Sequence, residues 1–149
     1  MGLFDMMNIS GSALAAERQR AEITSVNLAN ADTTKTDSGG PYIRKEVVFS
    51  AMNGSTFNTV LNGAGHFSQV PAGTVRIMQV KDDPTPPIQR YEPGNPDADE
   101  AGYVDYPAIN PVSEMVDLMG AVRAYQLNAS AVNAAKQMIQ QSIDILKTS

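Results

Sequence analysis

From Met115 onward the chain sets Met115, Leu118, Val122, Tyr125, Ala129, Val132, Lys136, Ile139, Ile143 and Leu146 at alternating steps of three and four. This is a heptad seam, apolar at every position but Lys136, and such a seam faces a partner helix along its length. The start of the element is marked. Asn110 is placed to cap it, Pro111 suits the first helical position, and Glu114 and Asp117 bring negative charge to the positive end of the dipole. Lys147 sits at the opposite end, where a cation is favoured. At the usual rise, a helix from Pro111 to Lys147 is about 55 Å long. A compact domain of this size has a radius of gyration of only about 15 Å. The helix must project, and its seam needs another helix.

A weaker seam runs through the N-terminal part at Ile9, Ala13, Ala16, Arg20, Ile23, Asn27 and Asn30, with Arg20 and Asn27 interrupting it. Ala13, Ala15, Ala16, Ala21 and Ala29 leave room for close helix approach. The pattern predicts a helix from Leu3 or Ser10 to Ala31, ended by the turn-forming stretch ADTTKTDSGGPY. An antiparallel hairpin of the first and last helices would bury both seams and leave part of the longer one over. All nine prolines fall between Pro41 and Pro111, and this middle reads as β. YIRKEVVFSAM and TVRIMQVKDD carry strand patterns, with Val75, Ile77 and Gln79 on one side of the latter. A short strand is expected at Phe57–Leu61 and another at Gly102–Tyr106, while PTPPIQRYEPGNPDADE reads as extended and exposed. Tyr42, Tyr91, Tyr103 and Tyr106 suit the lining of a small β unit. The fold class is therefore α+β. Residues 1–31 and 111–149 make a paired-helix assembly domain, and residues 32–110 make a β-rich, loop-rich region.

Composition narrows the chemistry. The chain has 149 residues, 42% of them hydrophobic, a net charge of −5 and no cysteine. The acidic balance argues against nucleic acid, which needs a basic face. Without cysteine there is no disulfide and no thiolate site. No apolar run approaches a membrane span, and MGLFDMMNIS lacks the form of a cleaved signal peptide. The single histidine, His66, lies in a Gly-rich loop with no second histidine to share a metal. Gly63-Ala64-Gly65 lacks the rest of a dinucleotide turn. Asp97, Asp99 and Gly102 match three places of a calcium loop, but Ala101 and Ala108 stand where ligands are required. No enzyme, metal or cofactor is indicated.

The remaining features point to packing. Gly120 inside the long helix costs about 1 kcal/mol relative to alanine, either as a tolerated blemish or as the site of a close helix crossing. Asn27 and Asn128 can fix register through buried side-chain bonds, and Asn30 can end the first helix. Arg20 and Arg123 are surface charges or partners for carboxylates of adjacent subunits.

SGSALAAERQRAEITSVNLANADTTKTDSGGPYIRK, with Asn27-Leu28-Ala29-Asn30 at the end of a helix and threonine beyond, resembles the signature of the bacterial flagellar rod proteins. GYVDYPAINPVSEMVDLMGAVRAYQLNASAVNAAKQMIQQSIDI resembles the C-terminal half of the same family. Finding both in order over more than half the chain is highly specific. The short length and the GGPYIRK and GYV-YP stretches point to its proximal rod members. Ala108 stands where Asn is expected, Val122 and Gln126 replace commoner residues, and 52–73 looks like an insertion.

The resemblance implies a structural subunit, exported unfolded by the flagellar type III apparatus without a cleaved signal. It implies assembly in the periplasm, with the helices forming an inner tube and the β region an outer layer. Implied partners are other copies, the rod proteins FlgB, FlgF and FlgG, and the adaptor FliE. Before assembly, helices with uncovered seams would be largely disordered. Two rivals remain: a soluble coiled-coil homo-oligomeric adaptor, and a small hydrolase using His66 with Ser68.

Overall fold

The computed structural model describes residues 2–52 and 73–148. The order of elements is α1 (Leu3–Ala29), β1 (Lys45–Met52), β2 (Thr74–Asp82), β3 (Ile88–Tyr91), β4 (Tyr103–Tyr106) and α2 (Pro111–Thr148). Two long terminal helices thus enclose a small β-rich middle, an α+β fold. Helix α2 begins as its sequence dictates. Asn110 Oδ1 accepts from the amides of Val112 (3.0 Å) and Ser113 (3.4 Å), and the Asn110 carbonyl takes the first helical bond from Glu114. Helix α1 starts at Leu3 and runs through Gly11, two residues short of the expected end at Ala31.

The chain forms two compact units. The division runs across both helices, because each half of a helix packs with its own share of the β segments. In the first unit (Met1–Gln19, Phe49–Met78, Ala121–Ser149) Ala16, Ala121 and Ala135 are buried, the last two completely. Ser12 joins helix to strand: its hydroxyl donates to the Ile9 carbonyl (2.7 Å) and accepts from the Val75 amide (3.1 Å).

In the second unit (Arg20–Val48, Gln79–Gly120) the end of α1 lies against the start of α2. Asn27 reaches Glu114 and Arg20 reaches Asp117, so the helices run antiparallel. The apolar core here is Ala31, Val104 and Ile109. Strands β3 and β4 pair antiparallel, from Ile88 opposite Tyr106 to Tyr91 opposite Tyr103. Tyr91 and Tyr103 pack edge-to-face at 5.3 Å, the Tyr106 hydroxyl donates to Glu92 (2.9 Å), and the Arg90 guanidinium covers the Tyr106 ring. Gly102 holds φ +85°, and a Cβ there would stand 3.0 Å from the Tyr91 ring. Strands β1 and β2 form a second two-stranded sheet.

Two expectations need correcting. Strand β3 lies in the stretch read as merely extended. Pro84, Pro86 and Pro87 before it and Pro93 after it leave a window of five residues, of which Ile88–Tyr91 become a strand only because β4 supplies the hydrogen bonds. The second correction concerns the long seam. The hairpin forms, but the heptad row of α2 is covered only in part, with Leu118, Ala129, Val132 and Ile139 half-buried. The row buried within the chain is offset by one position and includes Glu114, Ala121 and Ala135. Small side chains let helix backbones approach, so the alanine row is the cheaper inner face. Met115, Val122, Tyr125, Ile143 and Leu146 are left exposed. The seam of α1 behaves otherwise: every one of its positions is buried or half-buried.

Candidate functional site

Asn27 is 1% exposed, in the last turns of α1. Its Nδ2 donates to the Lys45 carbonyl (2.8 Å) and to Glu114 Oε2 (3.3 Å). Its Oδ1 accepts from the Lys45 amide (2.9 Å) and the Tyr42 hydroxyl (3.0 Å). An asparagine amide has two protons and two lone pairs to satisfy, and all four are used. Glu114, 2% exposed, is the other buried polar member. Its Oε1 accepts from Arg44 Nε at 2.7 Å, and Arg44 Nη1 reaches Asp83 Oδ2 at 3.4 Å. The Asp83 amide donates back to the Arg44 carbonyl (2.8 Å), and Asp83 Oδ1 accepts from the Thr85 amide and hydroxyl. A buried carboxylate is tolerated only when paired and hydrogen-bonded. Here four segments meet around one: the end of α1, residues 42–45, the residues just past β2 and the first turn of α2.

The titration behaviour follows from this packing. Burial pulls the Arg44 pKa down, but the hydrogen bond and charge of Glu114, then Asp83, outweigh it and raise the value. Burial, with the charges of Asp82 and Glu114, raises Tyr42. The two bonds from Thr85, with a smaller contribution from Arg44, lower Asp83. Outside the joint, the Glu92 hydrogen bond raises Tyr106.

Asn30 ends α1. Its Nδ2 donates to the Val26 carbonyl (2.8 Å), and its Oδ1 accepts from the Thr33 hydroxyl (3.2 Å). The Tyr42 amide then donates to the Thr33 carbonyl, returning the chain to the joint. In Asn27-Leu28-Ala29-Asn30 the two asparagines thus have different tasks, with Leu28 half-buried between them. Arg20 is paired with Asp117 of its own chain at 3.6 Å. Asn128 bonds back to the Ala124 carbonyl of its own helix, and Arg123 is exposed. Ile9, Ala13 and Ile23 are half-buried on α1; Leu118, Ala129, Val132 and Ile139 are half-buried on α2.

The opposite side of α2 is apolar and open. Val112, Met115, Val116, Met119 and Val122 are all exposed, Met119 to 65%. Nothing lies within 4 Å of where a Cβ on Gly120 would stand. Spacings of three and four place these side chains on one face.

Among the described residues no three histidine, aspartate or glutamate side chains converge to hold a metal, and no helix is long and apolar enough to cross a membrane. Asp97 and Asp99 are engaged in the loop itself: Asp97 accepts from the Thr34 hydroxyl, and Asp99 from the amides of Ala101 and Tyr103. The expected strand Phe57–Leu61, the Gly63–Gly65 loop, His66 and nearly all of the 52–73 insertion lie outside the described residues.

The arrangement is that of a subunit built to pack, with a locked internal joint and an apolar helix face turned outward. Residues 7–35 match the family described as "Flagella basal body rod protein", and residues 100–145 match "Flagellar basal body rod FlgEFG protein C-terminal". The joint draws Asn27 from the first stretch and Glu114 from the second. Flagellar basal-body rod protein FlgC of Bacillus subtilis is 36% identical over 151 residues, covering 99% of this chain and 100% of that protein. FlgC of Borreliella burgdorferi is 34% identical over 158 residues, covering 99% of each. FlgC of Escherichia coli O157:H7 is 37% identical over 145 residues, covering 97% of this chain and 98% of that protein. The chain belongs to the FlgC family of flagellar basal-body rod proteins and is a structural subunit of the rod.

Proposed function

We propose that the chain polymerises through the outward faces of its terminal helices into the proximal rod, the periplasmic shaft that carries torque from the MS ring to the hook. Its neighbours are further copies of itself, FlgB, FlgF, FlgG and the adaptor FliE. It reaches the periplasm through the flagellar type III apparatus without a cleaved signal, and in the rod the helices of residues 1–31 and 111–149 form the inner tube. The work is mechanical and requires no catalytic residue.

The carrying observation is the exposed apolar row on α2, whose other side is already buried. Soluble monomers rarely leave a large contiguous apolar patch in water. A chain exported with its helices unformed can fold its joint after passage and have this face covered by neighbours on assembly.

The test is Met119→Asp, a change at a position the chain's own packing leaves open. Export should persist while rods fail to form and motility is lost. Motile cells with complete basal bodies would overturn the proposal. His66→Ala should leave motility intact.

A further inference from the structure

We propose that Met115 and Met119 form an oxidation site: in the unassembled chain a peroxide converts their thioethers to sulfoxides, and the oxidised chain is barred from the rod. The proposal rests on the burial of the outward α2 face by neighbours and adds a control over that event. Both side chains lie on the open side of α2, Met115 50% and Met119 65% exposed. They stand one turn apart in the row Val112, Met115, Val116, Met119 and Val122, with spacings that put them on one face. The space beside them is open as well, since nothing lies within 4 Å of where a Cβ on Gly120 would stand. A methionine sulfur reacts where the oxidant can reach it, and the chain has no cysteine to consume the oxidant first.

The reaction balances without any group from the protein. A sulfur lone pair attacks one oxygen of hydrogen peroxide, the O–O bond breaks as the S–O bond forms, and the second oxygen leaves as water. Sulfur gives up two electrons and the peroxide takes them. The product is polar, and its oxygen accepts hydrogen bonds from water while the face stays open. Pressed against valine side chains by a neighbour, that oxygen has no donor, and an unpaired polar group weakens such a contact about ten- to a hundred-fold. The fold of the subunit is spared. Its packing uses the other side of the same turns, where Glu114 and Ala121 are 2% and 0% exposed. Oxidation therefore separates two properties that most damage removes together: assembly fails while the joint holds. Met6, Met78 and Met138 are exposed too but stand outside this row, so their oxidation leaves it apolar. Once neighbours cover the row, its two sulfurs are out of reach.

The test uses the full-length chain expressed from an inducible copy in cells that otherwise lack it, with hydrogen peroxide as the probe. Each strain is measured against its own untreated cells. A pulse during rod assembly should leave sulfoxide at Met115 and Met119, read by peptide mass, and cut the number of complete wild-type rods several-fold. The same pulse after completion should leave both residues reduced and the rods intact. Rods of the Met115→Leu, Met119→Leu chain should survive the early pulse undiminished. Met115→Gln with Met119→Gln sets a polar amide where the sulfoxide would be; it should block rods without peroxide while the urea midpoint of the chain stays at the wild-type value. A leucine pair as sensitive as wild type, a glutamine pair that builds rods normally, or sulfurs still reduced after the early pulse would each overturn the proposal. Complete rods from Met119→Asp would instead defeat the covered face on which it rests.

Discussion

Replacing Asn27 by alanine tests whether the joint carries the fold of its unit. The substitution deletes four hydrogen bonds and takes partners from the Lys45 amide and carbonyl and from Glu114 Oε2. Each bond is worth about 1 kcal/mol net, and each buried group left unpaired costs about 1–3 kcal/mol. Lys45 is exposed and the Tyr42 hydroxyl only partly buried, so water recovers some of the loss at three of the four contacts. Glu114 Oε2 has no such recourse. The expected destabilisation is about 3 kcal/mol, a large share of the roughly 5–15 kcal/mol by which domains are stable. With a urea dependence of about 2 kcal/mol per molar, the midpoint for the full-length chain should fall by about 1.5 M. Far-UV circular dichroism against urea is the assay. Asn30→Ala, which touches only its own helix end and Thr33, should cost about 1 kcal/mol or less.

Asn27→Asp separates the joint from any generic loss of packing. Its shape is unchanged, but both donors are gone and a second carboxylate stands about 3 Å from Glu114, where like charges cannot both ionise cheaply. At neutral pH it should be worse than alanine, and it should recover as the pH falls and the pair takes up a proton. An Asn27→Ala unfolding free energy within about 0.5 kcal/mol of wild type would refute the reasoning, since that is the range of surface substitutions. So would an Asn27→Asp variant indifferent to pH.

Three further outcomes follow from the same geometry. Arg44→Met strands the buried Glu114 charge and should cost about 3–5 kcal/mol; adding Glu114→Leu should restore part of it, and thermal melts of the two singles and the double give the coupling. Gly102→Ala forces a side chain into a left-handed backbone and against Tyr91, costing about 1–2 kcal/mol from the backbone alone; the near-UV tyrosine signal of the Tyr91–Tyr103 pair should change with it. In a pH series of melting temperatures, Tyr42 and Tyr106 hold their protons more tightly folded than unfolded. Their contribution is complete below about pH 10, the ordinary tyrosine value, and is lost as the pH climbs through the raised folded values, so Tyr106→Phe should blunt the alkaline fall. Asp83 is the reverse case. Its contribution is present above the ordinary carboxylate value and is lost as the pH falls through the lowered folded one, so Asp83→Asn should flatten the acid limb.

The helices were legible because their information is local. Caps, proline distribution and three-four spacing all lie within each segment, and Asn110 performs the capping its position suggests. Which face of α2 turns inward was not legible. Periodicity selects the most apolar row, whereas packing within the chain uses the row with the smallest side chains, and only the presence of α1 decides between them. Strand β3 escaped for a related reason: nothing in four exposed residues between prolines announces a strand until β4 lies beside it. Of the joint, Asn27 stood out as an asparagine out of place in a helix. Glu114 read as no more than a favourable charge near a helix start. Tyr42 and Arg44 lay in the GGPYIRK stretch with no role deducible from spacing, because their partners are separated from them by as many as 70 residues.

Joint and outer face solve opposite problems with opposite chemistry. Hydrogen bonds are directional, and those of the joint saturate both asparagine donors, both its acceptors and a buried carboxylate. Sliding α1 by a single residue would therefore leave Glu114 buried beside the wrong side chain, at a cost of several kcal/mol. That network resists shear between the helices and the β segments, which the torque-bearing role proposed above would need. The outward face of α2 has no such directionality. Valine and methionine contacts change little in energy when a neighbour shifts by an ångström, and methionine repacks readily. With the unlike neighbours proposed above, a rod subunit needs that tolerance at its surface. Exchanging the two chemistries would fail on both counts: a polar network at the surface would accept only one geometry, and an apolar joint would let the helices slip.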